Sequence, residues 1–140
     1  MSPSVRKIVE TSIYVADLER SESFYTSVLG LETVARQEGR HVFMKAGRSM
    51  LLIFNPDGLK REREMLGEQA IPQVYEGGRT HIAFGVAIGE MDDWRRMLEE
   101  RKVKIEHEML WGTGNTSIYF RDPDQNVIEL ITPGSWPVEE

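Results

Sequence analysis

The chain has 140 residues, 40% of them hydrophobic and 29% charged, which is the length and balance of one ordinary soluble globular domain and excludes a disordered chain. Seventeen basic against 23 acidic residues give a formal charge of -6 with no basic stripe, so nucleic acid is not an expected partner. Cysteine is absent, which excludes disulfides, thiolate zinc sites, iron–sulfur clusters and cysteine nucleophiles, and leaves His, carboxylate, amide or water as the ligands of any metal.

The amino terminus, Met1 to Lys7, precedes no apolar core of signal-peptide length, and no apolar run approaches a membrane span, so no membrane partner and a cytoplasmic location are expected. Val9 to Val15 alternates as a strand, with Val9, Thr11, Ile13 and Val15 on one face and Glu10, Ser12 and Tyr14 on the other. A helix follows, capped by Asp17, paired through Phe24/Val28 and Tyr25/Leu29 and ended at Gly30. Strands are predicted near 31–37 and 40–46, then across Ser49 to Pro56. Residues 57–78 form a linker with a charged helical piece from Gly58 to Leu66 and turn residues at Pro72, Gly77 and Gly78.

Thr80 to Val86 repeats the first strand, with His81 standing 71 positions after Glu10. Met91, Trp94 and Leu98 make one helical stripe, strands are predicted near 103–109 and 115–121, and Asn126 to Pro133 repeats Ser49 to Pro56 at an offset of 77. Each half therefore reads strand, helix, strand, strand, strand. Module one spans about 5–56 and module two about 79–134 of a single domain, 1–140.

Side chains two apart on a strand share a face, so His81 takes the repeat position of Glu10, on the face turned away from the packed one. Glu129 lies inside the apolar run Val127 to Ile131, where a carboxylate must be paired, protonated or metal-bound. Glu10, His81 and Glu129 are thus candidate ligands from three strands, a nitrogen and oxygen set suited to a divalent first-row metal. A hydrogen-bonded Glu/His cluster and an exposed strand face are the alternatives. His41, beside Gly39 and Arg40, and His107, between Glu106 and Glu108, read as solvated surface residues. Arg121 to Asp124 reads as a turn.

Val15 to Glu32 ("VADLERSESFYTSVLGLE"), Thr80 to Val86 ("THIAFGV") and Tyr119 to Ile131 ("YFRDPDQNVIELI") together resemble the vicinal oxygen chelate superfamily of glyoxalase I, fosfomycin-resistance thiol transferases, methylmalonyl-CoA epimerase, extradiol dioxygenases and bleomycin-resistance proteins. The resemblance implies an α+β fold in which two βαβββ modules form paired half-barrels and a cup. It also implies metal ligands from the first strand of each half and from the last strand, where Glu10, His81 and Glu129 lie, and a divalent Mn, Fe, Zn, Ni or Mg ion.

Tyr119 matches the family's active-site tyrosine and shares strand parity with Ser117, so Tyr119 and Glu129 are the expected catalytic residues. Two departures stand out. Glu10 occupies a position commonly held by His, and Leu52 occupies the last-strand position of the first half, so the four-ligand arrangement of glyoxalase I does not form. The family also implies a homodimer, which would cover strand edges left open by half-barrels.

Two functions follow from this reading. The first is a metal-dependent enzyme acting on a small oxygen-chelating substrate, of lyase, isomerase, thiol-adding or oxidising type. The second is a metal-free module of the bleomycin-resistance type, in which Tyr14, Phe54, Trp111 and Tyr119 line an aromatic groove and Trp111 to Gly114 forms a loop at its mouth. Tyr14, Phe54, Trp111 and Ser117 are the expected substrate contacts.

Overall fold

The computed structural model describes residues 3, 8–66, 79–112 and 114–134. The chain divides into two compact units with the boundary between Gly77 and Gly78.

The first unit runs β1 (Glu10–Tyr14), α1 (Leu18–Ser27), β2 (Glu32–Gln37), β3 (His41–Ala46), β4 (Ser49–Phe54) and α2 (Pro56–Leu66). Its sheet has the order β1-β4-β3-β2, with β1 parallel to β4 and the other pairs antiparallel. Asp17 starts α1 by accepting a hydrogen bond from the Arg20 backbone N–H at 3.1 Å. The helix ends before Gly30, whose φ of +70° lets the chain turn out of it. α1 lies against β2, β3 and β4, and Tyr25, Ile13, Val42, Met44, Leu51 and Ile53 are all sealed from solvent there. Each such aliphatic side chain contributes roughly 1.5–3 kcal/mol by burial. Asn55 then begins α2, its Oδ1 accepting from the Gly58 N–H at 2.9 Å, with Pro56 in the first helical position, where its missing N–H costs nothing.

The second unit repeats this plan as β5 (His81–Gly85), a 3-10 turn (Ile88–Glu90), α3 (Met91–Glu100), β6 (His107–Leu110), β7 (Thr116–Arg121) and β8 (Val127–Ile131). Its sheet order is β5-β8-β7-β6, again with the first and last strands parallel. Ile118, Phe120, Ile128 and Leu130 are fully buried on one face. The fold is α+β and built of two βαβββ modules, and neither sheet closes on itself.

Element bounds differ from the sequence reading in a few places. The packed face of β1 narrows to Ile13 and Val15, because Val9 precedes the strand and Thr11 sits near the free end of an edge strand, where both are exposed. β6 is short: only His107 to Leu110 finds partners along β7. The helical piece expected from Gly58 starts two residues earlier, at Pro56. Residues 67–78 of the expected linker, and Thr113 of the expected loop, lie outside the described residues.

Candidate metal and substrate site

The face of the second sheet opposite its apolar core carries the site. Across the strands, His107 pairs with Tyr119, Tyr119 with Glu129, and Glu129 with Ala83. His81 is one pleat away from Ala83 on β5 and Ser117 one pleat away from Tyr119 on β7, so all point to the same side. Ala83 and Gly85, the smallest residues of β5, are exposed on this face, with Ala83 directly across from Glu129.

Register here is held by a polar turn. Asp122 is buried and its Oδ1 accepts the N–H groups of Asp124 and Asn126 at 2.9 and 2.8 Å. Its Oδ2 accepts the Asn126 side-chain amide at 2.9 Å. The Asn126 Oδ1 then takes the Thr80 N–H at 2.8 Å, which anchors the head of β5 one residue before His81. The turn expected over Arg121 to Asp124 thus forms after Arg121, which still belongs to β7, and it also fixes His81 against β8.

Glu129 is a carboxylate only 7% exposed. A hydrogen-bond chain with determined directions holds it. The Trp111 indole N–H can only donate, and does so to Ser117 Oγ at 2.9 Å; the single Ser117 proton then goes to Glu129 Oε2 at 2.6 Å. Ser117 itself is completely buried. Its hydroxyl is therefore committed to the carboxylate rather than offered to a substrate, the contact expected of it from sequence.

The other carboxylate oxygen, Oε1, lies 3.1 Å from His81 Nε2. His81 Nδ1 is 3.2 Å from the Val127 carbonyl oxygen, which can only accept, so Nδ1 carries a proton. In the neutral imidazole this leaves a lone pair on Nε2 facing a carboxylate oxygen. Two acceptors at that distance require a proton or a cation between them. The pair therefore fits a divalent metal: a neutral imidazole nitrogen and a carboxylate oxygen side by side, each held from behind by a hydrogen bond. Among the described residues, no three His, Asp or Glu side chains gather into a group able to hold a metal by themselves.

Tyr119 stacks on His81 with ring centroids 6.3 Å apart and lies 5.9 Å from His107. Burial, and then the charge and hydrogen bonding of Glu129, raise the phenol above its ordinary value, while Ser117 opposes them. Tyr119 thus stays protonated at neutral pH, as a hydrogen-bond donor. His107 is exposed, as expected.

In the first unit Glu10 is exposed at the head of β1, opposite Met50, and Leu52 stands where the repeat places Glu129. Tyr14 and Phe54 are stacked at 6.0 Å, and Phe54 meets Phe43 edge to face at 5.6 Å. His41 corrects the sequence reading: it is 9% exposed, not a solvated surface residue. Its ring lies flat on Phe43 at 3.9 Å, because strand parity puts both on one face across from Phe54. That parity was available in the sequence, but the neighbouring Gly39 and Arg40 suggested an exposed turn.

The family model described as Glyoxalase/Bleomycin resistance protein/Dioxygenase superfamily matches residues 7–130. The chain is 31% identical over 119 residues to metallothiol transferase FosB of Bacillus licheniformis, covering 84% of this chain and 70% of the relative. It is 27% identical over 129 residues to FosB of Staphylococcus haemolyticus, covering 91% and 84%. The crystal structure of lactoylglutathione lyase from Agrobacterium tumefaciens superposes with a TM-score of 0.85 at 36% identity, covering 97% of this chain and 98% of that one. No helix among the described residues is long and apolar enough to cross a membrane.

Proposed function

Since the chain belongs to the glyoxalase/bleomycin resistance protein/dioxygenase superfamily, we propose that it is a divalent-metal-dependent enzyme of that family, acting on a small oxygen-bearing substrate at His81 and Glu129. The observation that carries this reading is His81 Nε2 facing the buried Glu129 Oε1 at 3.1 Å while Nδ1 is turned to the Val127 carbonyl, an arrangement in which a divalent cation fits between the two. Glu10 is kept as an expected ligand on the sequence repeat alone, in which it is the counterpart of His81. A divalent ion so held supplies Lewis-acid stabilisation of negative charge developing on a substrate oxygen.

The chain's own residues do the rest. Ser117 and Trp111 keep the Glu129 carboxylate from rotating, Ala83 and Gly85 leave room for the substrate, and the protonated Tyr119 phenol donates to a substrate oxygen. The names of the relatives, a metallothiol transferase and a lactoylglutathione lyase, favour transferase or lyase chemistry over ring-cleaving oxidation. With no cysteine in the chain, any thiol in the reaction arrives with a substrate.

Metal content settles the reading. Chelator-washed protein titrated calorimetrically with Mn, Fe, Zn, Ni or Mg binds one ion per chain, and His81→Ala and Glu129→Gln each weaken binding by about a hundredfold with the fold retained by circular dichroism. A wild type that binds none of these ions, or a His81→Ala protein with unchanged affinity, overturns it. The second reading, a metal-free sequestering protein, draws on the Tyr14, Phe43 and Phe54 ring set and requires a wild type that binds its ligand yet takes up none of these ions. A homodimer belongs to the same proposal and is checked by light scattering.

A further inference from the structure

His41 has no part in the metal site just described, yet the first unit builds around it as if its imidazole had a task. Arg40 Nη1 lies 2.7 Å from His41 Nδ1. A guanidinium has only donors, so Nδ1 must be the acceptor and the neutral ring carries its proton on Nε2. Arg40 is itself held by Glu62 of α2, which accepts from its Nε and Nη2 at 2.9 Å each. α2 in turn is seated on the turn before β3 by Gly58, since a Cβ there would lie 2.0 Å from the Gly39 carbonyl oxygen. A carboxylate, a guanidinium and an imidazole are thus set in line, and each fixes the orientation of the next.

The free end of that line is Nε2–H. Among the described residues it meets no acceptor, although the residue is more than nine-tenths buried. No buried side-chain nitrogen or oxygen among the described residues lacks a partner, so Nε2 must be the part of the ring that reaches the surface. Around it stand the half-buried rings of Phe43, at 3.9 Å and nearly parallel, and Phe54, at 6.2 Å and edge-on, with Tyr14 stacked beyond Phe54. Burial and the Arg40 charge, partly opposed by Glu62, hold the imidazole below its ordinary value, so it stays neutral with the proton on Nε2.

A structural role would not require these supports. Filling the space beside Phe43 needs only an apolar side chain, and a buried imidazole in that place costs desolvation that its single bond to Arg40 only partly offsets. What the supports add is a donor of one tautomer in one direction, flanked by apolar ring surface. That combination recognises an oxygen acceptor attached to a planar apolar body.

We propose that His41 is a specificity-determining hydrogen-bond donor, whose Nε2–H binds an oxygen of a small aromatic or conjugated carboxylate lying against Phe43, Phe54 and Tyr14. The inference rests on the proposed function only for the ligand being a small oxygen-bearing molecule, because every residue in it belongs to the first unit and none is a metal ligand.

The full-length protein labelled with 15N-histidine is kept in excess chelator, so that the outcome is independent of the metal reading, and titrated with benzoate, with acetate as the comparison. His41 is expected to show a protonated Nε2 and an unprotonated Nδ1 at pH 7. Benzoate shifts Nε2 saturably and binds more tightly than acetate, and His41→Phe, which keeps the ring and loses the donor, binds it about tenfold or more weakly, as loss of a hydrogen bond to a charged group implies. The Nδ1-protonated tautomer, an Nε2 signal unmoved by benzoate, or a folded His41→Phe protein with wild-type benzoate affinity overturns the proposal. Should His41→Phe fail to fold, the wild-type tautomer and titration decide it alone.

Discussion

Replacing Ser117 by alanine removes one oxygen atom and two hydrogen bonds, and the structure separates their costs. The bond to Glu129 Oε2, at 2.6 Å, is charge-assisted and ends on a carboxylate 7% exposed. Leaving that oxygen unpaired costs about 1.5–3 kcal/mol. The bond from Trp111 at 2.9 Å is between neutral groups, and Trp111 is only half-buried, so its N–H can turn towards water and the loss stays near 0.5–1 kcal/mol. The void is a single hydroxyl in size and adds little. Ser117→Ala is therefore expected to lower stability by about 2–4 kcal/mol in urea denaturation followed by far-UV circular dichroism, with an unchanged slope. Because the same hydroxyl keeps Oε1 turned towards His81, metal affinity by calorimetry falls about 10- to 100-fold, the range for losing a residue that orients a ligand. Trp111→Phe, which spares the Ser117–Glu129 bond, loses only the smaller part of each. A Ser117→Ala protein within about 0.5 kcal/mol of wild type and with unaltered metal affinity would show that the hydroxyl does not hold the carboxylate.

The same geometry makes three shorter predictions. Gly58→Ala, a favourable change in an isolated helix by about 1 kcal/mol, is expected to destabilise the protein by about 1–3 kcal/mol in the same urea experiment, because the new methyl meets the Gly39 carbonyl backbone, which has no flexible end to move aside. The depressed His41 also sets a pH dependence: the unfolded chain takes up a proton near its ordinary value of about 6.5 while the folded one resists, so this contribution to stability is full above that pH and declines as pH falls below it. Thermal melts between pH 7.5 and 5 are expected to show wild type losing stability relative to His41→Phe towards the acid side, and a difference between the two that does not change with pH would refute the linkage. Glu10→Gln is expected to weaken metal binding by about tenfold or more through loss of a charged ligand, and unchanged affinity would restrict the site to His81 and Glu129.

Period-2 alternation in β1, β5 and β8 and the offsets of 71 and 77 were enough to find the repeat, and with it the α+β plan of two βαβββ modules, because alternation and turn chemistry are local properties that survive in a one-dimensional string. Glu129 was conspicuous for the same reason: an acid inside Val-Ile-Glu-Leu-Ile contradicts its neighbours unless something compensates it. What compensates it depends on register across strands. That Tyr119 lies opposite Glu129, that Trp111 reaches Ser117 and Ser117 the carboxylate, and that Val127 rather than a side chain orients His81 are consequences of pairings between segments up to 46 residues apart. His41 belongs to the same class. Its burial and its tautomer come from Phe43, Phe54 and Arg40 and, through Arg40, from a helix 22 residues away in the chain, and a hydrogen bond's direction is decided by the partner that tertiary packing brings to it.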